Sequence, residues 1–136
     1  MKITQIVIIA AAAVCLLGCN QGFHDPLLRQ QLTTMVSGLD DKNQKTVDQW
    51  EKDIRAILSV NAAKMGEEQK KKLSLAQDKL MVLSSDLLFR DIEKQLHPDW
   101  NNKSNSKGVL GKELLSEIEE LVSEAKKAIS EVAATL

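Results

Sequence analysis

The thiols of the 136-residue chain, Cys15 and Cys19, stand four positions apart in the stretch AVCLLGCN, and no other cysteine occurs. A disulfide between them would close only a tiny loop and constrain almost nothing. No Cys or clustered His–carboxylate set offers metal geometry, because the histidines are only His24 and His97. No glycine loop has the form of a phosphate cradle. Carboxylates are plentiful, but Glu113, Glu117, Glu120 and Glu124 fall at helical spacing, as the charged outer face of a helix does. These residues predict a protein that is not an enzyme and holds no metal or cofactor. They leave covalent modification as the chemistry open to a thiol.

The surroundings of Cys19 say which modification. Met1-Lys2 is followed by ITQIVIIAAAAVCLLG, sixteen almost entirely apolar residues from Ile3 to Gly18. At about 1.5 Å per residue such a helix reaches roughly 24 Å, short of a ~30 Å hydrocarbon core. A cation, a short apolar centre and a small residue before a cut site describe an export signal. Leu16, Leu17, Gly18 and Cys19 resemble the lipobox of bacterial lipoprotein signal peptides. The resemblance implies cleavage after Gly18, acylation of Cys19 with fatty chains such as palmitate, and loss of Cys15 with the discarded segment. One acyl chain binds a bilayer only marginally, and several hold it durably. Asn20, in place of the aspartate of inner-membrane retention signals, implies outer-membrane delivery in a cell that has one. The expected organisation is a signal peptide over 1–18, a short tether over 19–24 and one domain over 25–136.

Removing Lys2 from the 18 Lys and Arg leaves 17 against 19 Asp and Glu. That balance gives no reason to expect nucleic acid or an anionic lipid surface as a partner. With Cys19 acylated, the exported body has no disulfide to lean on. It must be held together by its core, and a chain of this length suffices for one.

The body lacks tyrosine and has two prolines, Pro26 and Pro98, amid Leu, Ala, Lys, Glu, Gln and Ser. This composition predicts an all-α fold. Asp25-Pro26 reads as an N-cap followed by proline in the first turn. Leu28, Leu32, Met35 and Val36 then share a face, and Gly38 is expected to end the helix in the left-handed conformation. Asp40 or Asp41 is expected to cap a second helix carrying Val47, Trp50, Ile54, Ile57 and Leu58, with Gly66 ending that run. A third helix starts at Glu67. One stripe comprises Leu73, Ala76, Leu80, Leu83 and Leu87, and a neighbouring one Met81, Leu88, Ile92 and Leu96, an arc wide enough to be covered on more than one side. Pro98 blocks continuation, and residues 98–108 have a loop's composition. A fourth helix from about Lys112 carries a coiled-coil-like seam of Leu115, Ile118, Val122, Ala125, Ile129, Val132 and Leu136. Short connections favour antiparallel neighbours, so the expected architecture is a small antiparallel bundle of three to four helices.

One further motif carries possible chemistry. His97-Pro98-Asp99 follows a helix and precedes a polar loop, which resembles the signature of J domains, helical hairpins that stimulate DnaK-type chaperones. Phe89, Arg90, Ile92, Leu96 and Asn101 match that family's pattern over about residues 85–125, while Asp91, Glu93 and Trp100 depart from it. The resemblance implies partner contacts through His97, Pro98, Asp99, Arg90 and Lys94. The physical alternative is a stop signal: histidine at the carbonyl end of a helix, proline to end it and aspartate to turn the chain. Trp100 is a further candidate for partner contact. The leading expectation is a membrane-anchored, non-enzymatic lipoprotein that binds or assembles another cell-envelope protein, as pilot, exclusion or adhesin types do. The alternative is a membrane-tethered J-domain-like cochaperone.

Overall fold

The computed structural model describes residues 23–97 and 106–136. Among these the chain is an all-α bundle of α1 (Pro26–Gly38), α2 (Gln44–Asn61), α3 (Glu67–Leu96) and α4 (Ser106–Ala133), without strands. Residues 1–22 and 98–105, which include Leu16, Leu17, Gly18, Cys19, Pro98, Asp99 and Trp100, lie outside the described residues. Among the described residues no helix is long and apolar enough to cross a membrane.

Asp25 opens α1 as expected: its carboxylate accepts from the Leu27 and Leu28 amides, and Pro26 supplies the first turn. The exit differs from expectation. Gly38 keeps a right-handed backbone (φ −83°), and the left-handed residue is Lys42 (φ 49°), after a single 3-10 turn over Leu39–Asp41. Leu39 is fully buried, which draws that turn into the core and moves the reversal beyond it. Gly38 is required for another reason: a Cβ there would overlap the Trp50 ring. The same shift takes Asp40 and Asp41 away from the start of α2. Asn43 caps it instead, accepting from the Thr46 amide and hydroxyl. Gly66 likewise does not end α2, which stops at Asn61. Gly66 precedes α3, donating its N–H to the Gln69 side chain.

α3 packs against α2 on one side and α4 on the other, while α1 packs on α4. The buried stripe of α3 is Leu73, Ala76, Leu80, Leu83 and Leu87, joined by Leu28, Leu32 and Met35 of α1, Val47, Ile54 and Ile57 of α2, and Ile118, Val122, Ala125, Ile129 and Val132 of α4. Trp50 is partly buried against this cluster. The expected second stripe of α3, Met81, Leu88, Ile92 and Leu96, stays exposed, because α2 and α4 cover the first. Leu115 falls out of the predicted seam: it is exposed, and its neighbour Leu114 packs against the core in its place. α4 also starts earlier than Lys112, at Ser106, so the residues of greatest loop-forming composition are partly helical.

Polar ties fix the relative heights of the helices. Gln69 donates to the Phe23 carbonyl and the Thr135 hydroxyl, which gathers both ends of the domain at the start of α3. Higher up, Gln44 donates to Ser84, and Arg90 donates to the Lys42 carbonyl (3.1 Å). Beyond Arg90, α3 runs on through Leu96, roughly 9 Å of helix without α1 or α2 beside it. The end of α3 therefore overhangs, at the opposite end of that helix from Gln69 and Phe23.

Candidate functional site

The seam between α3 and α4 has a regular charge ladder on its outer side. Lys72 pairs with Glu131 (3.3 Å) and Lys79 with Glu124 (3.0 Å). One further seven-residue step on each helix brings Asp86 against Glu117, acid against acid. Seven-residue steps that stay matched on both helices are the register of a coiled-coil-like pair. Burial pushes the Asp86 carboxyl up to about 7, and the hydrogen bond and charge of Glu117 push the same way. One Asp86 oxygen, Oδ2, is buried without a hydrogen-bond donor.

Beside the ladder runs an apolar row. Low on the hairpin, a groove of about 680 Å³ is lined by Lys71, Leu75, Asp78 and Lys127 among others. From Leu75, steps of seven give Val82, Phe89 and Leu96, and all four are exposed (48%, 47%, 41% and 65%). On α4 the matching steps from Lys127 give Glu120 and Glu113, both exposed. The upper half of this face thus combines Val82, Phe89 and Leu96 with Asp86, Glu113, Glu117 and Glu120. Among the described residues no lysine or arginine pairs with these four acids.

The candidate residues that the sequence singled out fare differently. His97 ends α3, its amide donating to the Glu93 carbonyl at 2.8 Å, and is half-buried. Arg90 is not free: besides Lys42 it donates to Asp91 at 2.7 Å, and its side chain is mostly buried. It joins α3 to the turn after α1. Lys94 is exposed on the overhang. Among the described residues no three His, Cys, Asp or Glu side chains group in a way that could hold a metal ion.

Other polar clusters belong to the architecture. Glu51 is buried, and burial alone would raise its carboxyl. The Gln77 hydrogen bond and the two-point Arg55 contact (2.7 and 2.9 Å) outweigh that and leave it below the usual carboxylate range. Gln69, Ser84 and the Asp86–Glu117 pair were missed by sequence reading. The Glu51–Arg55 spacing of four was a readable helical signal, whereas Asp86 and Glu117 meet only through the hairpin.

Comparison of the sequence with family profiles and curated proteins, and of the fold with solved structures, finds no match.

Proposed function

We propose that the protein is a lipid-anchored, non-enzymatic bacterial envelope protein that binds or assembles another envelope protein through the tip of its α3–α4 hairpin. The anchor is Cys19, four residues before Phe23, and outer-membrane delivery follows from Asn20. The observation that carries the reading is the placement of exposed apolar side chains. Leu88, Phe89, Ile92 and Leu96 form an exposed apolar run over the last turns of α3, opposite the end where Phe23 leads to the tether, while Leu27 and Val60 are the exposed apolar pair near Asp25. Scattered surface leucines need no explanation, but a cluster on one end marks an interaction surface. With α3 about 45 Å long, an anchored bundle presents this end away from the bilayer, toward a protein.

A photoreactive residue at position 96, in the full chain in its native cells, tests this. The expected product is an adduct with another envelope protein, absent when the residue is placed at 62 near the tether end. No protein adduct from 96 would overturn the reading. An adduct with a DnaK-type chaperone would favour the J-domain-like alternative instead.

A further inference from the structure

We propose that the upper half of the α3–α4 face is a docking groove for a basic amphipathic helix of the partner, whose apolar stripe covers Val82, Phe89 and Leu96 and whose Lys or Arg side chains meet Asp86, Glu113, Glu117 and Glu120. This rests on the partner-binding reading above and adds the chemistry of the partner.

Three observations converge. First, the apolar row repeats every seven residues along a helix that has no described neighbour on that side, the arrangement that a packing helix complements. Second, the ladder changes sign along its length. In the lower half Lys72 and Lys79 of α3 neutralise Glu131 and Glu124 of α4. In the upper half the α3 position is Asp86, so the fold leaves Glu117 without a cation and places Glu113 and Glu120 in solvent beside it. Third, Glu117 is exposed while Asp86 beside it is half-buried with Oδ2 lacking a donor, so an ammonium or guanidinium brought in by a partner meets Glu117 and offsets the acid-against-acid contact that the bundle leaves uncompensated. The raised Asp86 carboxyl, at about 7, fits a site that ionises fully once a cation arrives.

The charge argument also selects among occupants. The whole chain carries a net charge of −1, yet this face gathers four acids for which the described residues supply no paired cation. An anionic lipid surface would be repelled by it. A second copy aligned in parallel would set the same acids against each other, whereas an antiparallel copy would bring Lys71 and Lys127 to them, so a crosslink to a second copy is the outcome that separates self-association from a basic partner.

The test places a photoreactive residue at 89 in the full chain in its native cells and sequences the crosslinked segment by mass spectrometry. The expected segment is helical in pattern, with apolar residues at three- and four-residue spacing and Lys or Arg flanking them. Glu117→Lys should lower the adduct yield ten-fold or more while leaving the melting temperature unchanged or raised, since the new ammonium faces Asp86. Glu113→Lys, at an exposed site with no described pairing, should give the same loss and decides the matter if Glu117→Lys disturbs the fold. An adduct from 89 to an acidic or uncharged segment, to lipid or to a second copy would overturn the inference, as would an undiminished yield in the folded charge variants. A protein adduct from 96 with none from 89 would sink the groove and leave the partner-binding reading standing. Absence of both would remove both.

Discussion

Asp86 shows how a single carboxyl takes its properties from its neighbours. In an unfolded chain it titrates near 3.8, and in the bundle at about 7, because burial and Glu117 both disfavour its charge. The folded state therefore holds this proton more tightly than the unfolded state. The contribution to stability is fully present below about pH 4 and is lost as pH rises toward 7. Asp86→Asn keeps the position neutral at every pH. It is expected to raise the melting temperature over wild type at pH 8 and to change it little at pH 4, which thermal unfolding at the two values checks. An equal difference at both would mean that Asp86 is not the titrating group. Glu51 runs the other way: its hydrogen bonds to Arg55 and Gln77 favour the charged form, so its buried carboxylate contributes stability at neutral pH that acid removes.

Among the elements, the joint between α1 and α2 best separates what periodicity encodes from what packing requires. Gly38 was readable as a helix end, and α1 does end there, but what requires glycine is the Trp50 ring rather than a left-handed backbone. With Gly38 right-handed, two effects of a substitution there oppose each other. At a right-handed position Gly→Ala ordinarily stabilises by about 0.4–1 kcal/mol through the unfolded chain. A methyl forced against the indole costs about 1–3 kcal/mol of overpacking. Gly38→Ala is therefore expected to destabilise the protein in urea titration, and a gain in stability would show that the ring moves aside freely. The core stripes of α1, α2 and α3 were legible because each is one face of a regular helix. The caps after Gly38 were less so: Asp40, Asp41 and Asn43 are all competent N-cap types within four positions, and the burial of Leu39 chose among them.

At the scale of the whole molecule, the described ties give the bundle two unlike ends. Gln69 fastens Phe23 and Thr135 together at one, and the hairpin overhangs at the other with its apolar and acidic residues exposed. If fatty acid on Cys19 is the anchor, Cys19→Ser should release the protein from membranes or leave it unprocessed without altering the melting of the bundle. Fractionation of cells with carbonate extraction checks this, and unchanged membrane retention would count against the anchor.

The sequence by itself determined that the chain is helical, where α1 begins, which residues of α3 could be core, and that a lipobox-like tetrad precedes the body. Each of these is local: a cap, a repeat of three and four, or a run of adjacent residues. Only the tertiary structure decided which apolar stripe of α3 is covered, that Arg90 is spent on the Lys42 carbonyl, and that Asp86 meets Glu117. Helical periodicity records how a segment divides its own surface into faces. Which face finds a neighbour depends on the lengths and register of helices far away in the chain, and here α1 and α2 stop short of the hairpin they support.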